Sequence, residues 1–216
     1  MRTRLILTVL GLFAATTGAA CTPAAVPAVT SSSSVGPGEG ETPPEPSIVV
    51  TKAMGSPHID DMAPDFELPD QDGKPVRLSA TRGSVVVLAF VASFCPFSKA
   101  EQPHLKKLAA DYADKHVRVI AIGIKEPEPD YREYVSRTAM GIPVLRDADG
   151  AVSLRFLPAG AQPDFKDRTM ALVTSNLVID KTGKIRFFTV LDTVHFDAKM
   201  VHVRGAVDRV LAESGT

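Results

Sequence analysis

Cys95 is the residue of this 216-residue chain whose surroundings best suit chemistry. It follows an unbroken apolar run at residues 85–91, which predicts a strand buried on both faces. Pro96 comes next, and proline suits the first position of a helix because its missing N–H costs nothing there. A thiol at such a junction lies at the positive end of the helix, which favours the thiolate. We therefore expect Cys95 to be redox-active, with a buried and inert cysteine as the alternative.

Two polar residues that follow the cysteine are candidate helpers for its chemistry. Ser98 is either a hydrogen-bond donor to the thiolate or an ordinary polar group of the first helical turn. Glu101 is either a proton shuttle for the thiol or a charge near the helix N-terminus. The sequence leaves both pairs of alternatives open.

Aromatic residues flank the cysteine and suggest a substrate surface. Phe94, Pro96 and Phe97 are predicted to frame a shallow apolar groove, although core packing explains the two rings equally well. The five histidines show no metal-ligand spacing, so we expect neither a metal nor another cofactor.

Composition excludes two broad classes of protein. The chain has 24 basic and 25 acidic residues and no basic block, which argues against nucleic acid as a partner. Its two cysteines, Cys21 and Cys95, lie in regions of very different character, which excludes a scaffold built on disulfides.

The first part of the chain is typical of an exported protein. Arg2 and Arg4 precede a short apolar stretch and then small residues, so residues 1–20 are predicted to be a signal peptide. Small residues directly before Cys21 resemble a bacterial lipoprotein signal, and ordinary cleavage nearby is the alternative. Residues 21–57 are rich in proline, serine and threonine and predict a disordered tether. We expect a lipid anchor at Cys21 to hold the protein to a membrane of the bacterial cell envelope.

The rest of the chain, residues 58–216, predicts one α/β domain. Its periodicity indicates an N-terminal hairpin and then a mixed sheet flanked by helices on both faces. The hairpin strands are expected at residues 66–69 and 76–78. The other strands are expected at residues 85–91, 117–124, 142–145, 170–180 and 185–191, and the helices at residues 99–115, 130–137, 152–156 and 198–212.

Three segments together carry a resemblance to a known superfamily: APDFELPDQDGKPVRLS, FVASFCPFSKAEQP and LVIDKTGKI. They resemble the thioredoxin-like redoxins, which include the alkyl hydroperoxide reductase/thiol-specific antioxidant proteins and envelope-tethered thiol-disulfide reductases. The resemblance covers most of residues 63–191 and implies a thioredoxin-like fold. It also implies a protein disulfide or a peroxide as substrate and an external thiol as reductant.

The reductase branch of this superfamily has a W-C-x-x-C motif, to which this chain is similar at most positions. Phe94 stands for the tryptophan and Cys95 for the attacking cysteine, whereas Ser98 stands where the resolving cysteine belongs. Thr174 stands at the position of the proline that flanks the active-site cysteine. The resemblance therefore implies monothiol chemistry, because a serine cannot complete a two-electron exchange.

The peroxidase branch places a hydroxyl residue, a proline and an arginine around its cysteine. The matching positions here hold Ala92, Leu88 and Thr174. We therefore expect a monothiol oxidoreductase acting through Cys95. The alternatives are a one-cysteine peroxidase and a binding module that keeps the fold without turnover.

Overall fold

The computed structural model of the protein describes residues 58–157, 175–190 and 192–213. The predicted signal peptide, lipidation site and tether lie outside these residues, as does Thr174. Within the described ranges, no helix has the length and apolar character needed to cross a bilayer.

The described elements follow the predicted order. They are β1 Glu67–Pro69, β2 Pro75–Arg77, β3 Val85–Val91, α1 Pro96–Asp111, β4 Val117–Ile124, α2 Glu128–Thr138, β5 Val144–Asp147, α3 Ala151–Phe156, β6 Ser175–Ile179, β7 Ile185–Thr189 and α4 Val201–Glu213.

Five of the strands form one mixed sheet in the order β5-β4-β3-β6-β7. Strand β3 is central, pairs in parallel with β4 and pairs antiparallel with β6. The β6–β7 hairpin turns at Asp180, whose Oδ1 accepts the backbone N–H groups of Thr182, Gly183 and Lys184. Gly183 has a φ of +96°, which suits a residue without a side chain. This arrangement confirms the predicted mixed sheet with an antiparallel hairpin at one edge.

The central strand is buried on both faces, as its unbroken apolar run predicts. Val85, Val87 and Ala89 belong to a cluster that includes buried residues of α1, α2 and α4. Val86 and Leu88 face the opposite side, where α3 and the β1–β2 hairpin complete a second cluster. The sheet is thus covered on both faces, and the end of β3 presents Cys95 at the start of α1.

Several predicted boundaries are wrong by a few residues. Helix α1 begins at Pro96 and ends at Asp111, and residues 113–115 form a separate 3₁₀ turn. Helix α4 begins at Val201 rather than at residue 198, because Met200 adopts a φ of +57°. The Asp197 carboxylate accepts the N–H groups of the first two helical residues. Strand β5 begins two residues later than predicted.

Candidate functional site

Cys95 occupies the N-cap of α1, with Pro96 as the first helical residue. Its N–H donates to the Ala92 carbonyl over 3.1 Å, and its own carbonyl accepts the Lys99 N–H over 3.2 Å. The cysteine is 7% exposed. Its position at the start of a 16-residue helix matches the junction that the sequence predicts. The partial positive charge of a helix N-terminus favours a thiolate there.

Ser98 is fully buried one turn further along α1. Its Oγ accepts the backbone N–H of Ala92 over 3.2 Å, so the side chain ties the first helical turn to the end of the preceding strand. In this contact the hydroxyl acts as an acceptor. A role as hydrogen-bond donor to the Cys95 thiolate therefore stays a prediction.

Glu101 lies in the second turn of α1 and is 3% exposed. Its Oε1 accepts the side-chain N–H of Asn176 over 3.1 Å. Burial raises the pKa of Glu101 to about 8; the hydrogen bond from Asn176 opposes this, and the charges of Asp197 and Cys95 add to it. The carboxyl group is therefore mostly protonated at neutral pH and can give a proton to a thiolate nearby.

A second buried glutamate, Glu126, holds the loop that precedes the cysteine. It is 3% exposed and follows the end of β4. The Ser93 N–H donates to Glu126 Oε1 over 2.5 Å, and the Ser93 hydroxyl donates to Oε2 over 2.8 Å. Gly123 packs against this side chain, since a Cβ there would lie 3.4 Å from Glu126 Cγ. Both carboxylate oxygens of Glu126 are thus used to fix the loop.

Glu126 was not predicted from the sequence, although the sequence carries a signal for it. Strands β3 and β4 are parallel neighbours, with Val91 paired to Gly123 at their carboxyl ends. Polar residues just beyond such ends meet at one edge of a sheet. Ser93 follows β3 and Glu126 follows β4, and their side chains form a hydrogen bond at that edge.

Tyr134 of α2 is a further buried polar group in this part of the fold. It is 2% exposed, and its hydroxyl has no hydrogen-bond partner among the described residues. Burial raises the pKa of Tyr134 to about 12, and the negative charges of Glu126, Glu101 and Cys95 raise it further. The phenol is therefore neutral and lies within electrostatic reach of both glutamates and of the cysteine.

The three residues of the predicted groove have different environments. Phe94 is 58% exposed and Pro96 is also exposed, whereas Phe97 is half-buried. The ring of Phe97 packs edge to face on Phe196, with 4.9 Å between centroids. Phe196 belongs to the segment before α4 that also carries Val194, which is 80% exposed. The sequence did not predict that this segment lies beside the start of α1.

Thr174 and Cys21 lie outside the described residues. In the described ranges, no group of three or more histidine, cysteine, aspartate or glutamate side chains is arranged to hold a metal ion.

Comparisons with known proteins agree on fold and on general chemistry. A sequence profile of the AhpC/TSA family matches residues 59–188. The thiol-disulfide oxidoreductase ResA of Halalkalibacterium halodurans is 32% identical over 87 residues, which are 40% of this chain and 49% of that protein. A Mycobacterium tuberculosis protein, provisionally named a peroxiredoxin, is 32% identical over 128 residues, which are 58% of this chain and 80% of that protein.

The structural comparison supports the predicted architecture. A solved structure from Bacteroides thetaiotaomicron, provisionally named a protein disulfide isomerase, superimposes with a TM-score of 0.60 at 28% identity. The match covers 73% of this chain and 92% of that chain. The thioredoxin-like fold is thereby confirmed. This chain spans about half the length of the ResA relative described above.

Proposed function

Because this chain belongs to the AhpC/TSA family, we propose that it is a monothiol thiol-disulfide oxidoreductase acting through Cys95. The observation that carries the proposal is the position of Cys95 at the N-cap of α1, with a serine one turn later. The similarity to ResA supports a protein disulfide or an oxidised protein thiol as the substrate.

The proposed reaction has two exchange steps. The Cys95 thiolate attacks one sulfur of a substrate disulfide, which forms a mixed disulfide and expels the second sulfur as a thiolate. An external thiol then attacks the mixed disulfide, regenerates the Cys95 thiolate and leaves with the substrate sulfur as a new disulfide. The electrons come from this external thiol, because Ser98 cannot supply them.

Glu101 is the proton donor of the first step in this proposal. A neutral carboxyl group beneath the cysteine protonates the departing thiolate and becomes a carboxylate. The external thiol returns a proton when it is deprotonated for the second step. Burial of Glu101 and its raised pKa of about 8 support this role, since an ordinary carboxyl would already be ionised at neutral pH.

Replacing Ser98 by cysteine tests the monothiol assignment. We expect Ser98→Cys to form a disulfide with Cys95 and to release a bound substrate without an external thiol. The wild-type chain should accumulate the mixed disulfide until thiol is added. Mass spectrometry of the full Cys21→Ser chain after reaction with a small disulfide measures both outcomes. Cys95→Ser is the control, and unchanged exchange in that variant contradicts the proposal.

A one-cysteine peroxidase is the second candidate. The observation in its favour is the match over 80% of the length of a relative provisionally named a peroxiredoxin. In that case the Cys95 thiolate attacks one oxygen of hydrogen peroxide and becomes a sulfenic acid, and the second oxygen leaves as hydroxide, which takes up a proton from solvent to form water. Stopped-flow reaction with peroxide decides between the two: a rate no faster than that of an ordinary thiol at the same pH eliminates the peroxidase.

The third alternative is a binding module that has lost turnover. Its supporting observation is the burial of Cys95, which is 7% exposed. A Cys95 thiol that titrates above the free-thiol value of about 8.5 would favour this alternative over both enzymes.

The location of the protein is also a proposal. Residues 1–20 as a signal peptide, Cys21 as a lipidated residue and residues 21–57 as a tether would place the domain of residues 58–216 outside the cytoplasm. Metabolic labelling with a fatty acid in the bacterial host tests the anchor. Label that remains in Cys21→Ser contradicts it.

A further inference from the structure

Asn176 is a buried polar residue on an interior strand of the five-stranded sheet. It lies in β6, between β3 and β7, and is 2% exposed. On the neighbouring strand β3 it pairs with Ala89, whose small side chain leaves room on the face of the sheet that α1 covers. Asparagine is disfavoured in strands, and burying its side-chain amide destabilises the folded state unless protein hydrogen bonds replace those to water. This position therefore calls for a polar partner, and Glu101 supplies it.

The contact between the two side chains uses only one atom of each. Asn176 Nδ2 donates to Glu101 Oε1 over 3.1 Å. Glu101 Oε2 and Asn176 Oδ1 are both buried without a hydrogen-bond partner among the described residues. In a neutral carboxyl group the carbonyl oxygen is the better hydrogen-bond acceptor. The hydrogen bond from Asn176 to Oε1 therefore favours the Oε2 atom as the site of the Glu101 proton.

The backbone of Asn176 is itself held in place. Its N–H donates to Thr189 Oγ1 over 3.3 Å, and the Thr189 hydroxyl lies 3.4 Å from the Asn176 carbonyl. Thr189 is the residue paired with Asn176 on β7. The amide thus projects from a fixed point of the sheet toward α1.

We propose that Asn176 is a positioning residue, whose amide orients Glu101 and determines which carboxyl oxygen carries the transferable proton. This inference rests on the proposed proton-donor function of Glu101. The charged or titratable groups that interact with Glu101 are Cys95 at the start of its own helix, Asp197 before α4 and Tyr134 on α2. Among the described residues, Asn176 donates the hydrogen bond that restrains the Glu101 carboxyl.

The test follows the Glu101 carboxyl carbon by ¹³C NMR across a pH titration of the full chain. Asn176→Val removes the amide, so the carboxylate loses a stabilising donor. We expect the titration of Glu101 to move up by about one pH unit. The exchange rate of Cys95 with a small disulfide should fall about threefold to tenfold at pH 7, because Oε2 is no longer favoured as the site of the proton. Glu101→Gln assigns the carbon signal.

Two further variants complete the design. Ser175→Ala is the matched control on the same strand, because it removes a buried hydroxyl without a described hydrogen-bond partner; its titration should equal that of the wild type. In Asn176→Asp the new side chain has nearly the volume of asparagine, so this variant tests the inference even if Asn176→Val does not fold. Two carboxyls in contact titrate in two coupled steps, so we expect one step below and one above the wild-type value.

The outcomes separate this inference from the proposed function. Absence of Cys95 exchange in the wild-type chain overturns the proposed function. Normal exchange in the wild type, with a Glu101 titration that neither Asn176 variant moves, overturns only the role of Asn176. A shifted titration with an unchanged exchange rate also overturns it, since the amide would then tune Glu101 without affecting proton transfer.

Discussion

Two buried glutamates near the start of α1 differ in how their carboxyl oxygens are used. Both Glu101 and Glu126 are 3% exposed. Glu126 accepts hydrogen bonds on both oxygens, from the backbone and the hydroxyl of Ser93. Glu101 accepts one, from Asn176, and its second oxygen has no partner among the described residues.

The difference shows that burial alone does not determine what a carboxyl group does. Both oxygens of Glu126 accept hydrogen bonds from Ser93, so this residue acts as a fixed acceptor that holds the loop. Glu101 has too few donors to compensate burial, so its pKa rises to about 8 and it can exchange a proton. We infer that the region around Glu126 provides rigidity and the region around Glu101 provides the proton.

The largest effect is expected from Glu101→Gln at alkaline pH. The pKa of Glu101 in the folded chain lies above its ordinary value of 4.5, so the folded chain keeps a proton that the unfolded chain releases. This contribution to stability is complete below pH 4.5 and is lost as the pH rises through about 8. Glu101→Gln should therefore be more stable than the wild type above pH 8, by at most about 5 kcal/mol.

Urea unfolding at pH 5 and pH 9 measures this difference. The pH dependence attributed to Glu101 should be absent from the glutamine variant, while other carboxyl groups contribute equally to both proteins. Equal stability differences between the two proteins at both pH values would contradict the raised pKa of Glu101.

A smaller loss of stability is expected from Glu126→Ala. Removal of the carboxylate leaves the Ser93 N–H and hydroxyl without their acceptor and opens a cavity, at a cost of about 2–4 kcal/mol. Glu126→Gln keeps one acceptor oxygen and should recover most of that loss. Urea unfolding measures both variants at pH 7. A glutamine variant as unstable as the alanine variant would show that the charge, rather than the hydrogen bonds, holds the loop.

The smallest effect in this series is expected from Ser98→Ala. The Ala92 N–H would lose its buried acceptor, at a cost of about 1–2 kcal/mol. Exchange at Cys95 should persist, because the hydroxyl supplies no electrons. The comparison of melting temperature with exchange rate separates these two roles. Loss of exchange in a folded Ser98→Ala variant would instead support Ser98 as a donor to the thiolate.

Much of the fold could be predicted because its signals are local. The run at residues 85–91 has no polar alternation, and β3 occupies the same residues in the structure. Pro96 correctly predicts the first residue of α1. The start of α4 was placed three residues too early, because the apolar pattern alone does not show the positive φ of Met200 or the cap that Asp197 forms on Val201.

The candidate site was less accessible to sequence analysis because its key contacts are distant in the chain. Cys95, Ser98 and Glu101 share one short segment and were all identified. Asn176 and Glu126 are separated by 75 and 33 residues from the side chains that they contact. Only the pairing of β3 with β6 and with β4 brings them to the cysteine. A polar residue in an apolar strand was the available signal for Asn176.

The central claim is that Cys95 reacts as a monothiol, and formation of its mixed disulfide tests this most directly. The measurement is the rate of adduct formation between a small disulfide and the full Cys21→Ser chain at pH 7, with peptide mapping of the product. The account predicts a single adduct on Cys95, formed at least about tenfold faster than with a simple thiol and reversed by added thiol. No adduct, or one formed no faster than with the simple thiol, would contradict it.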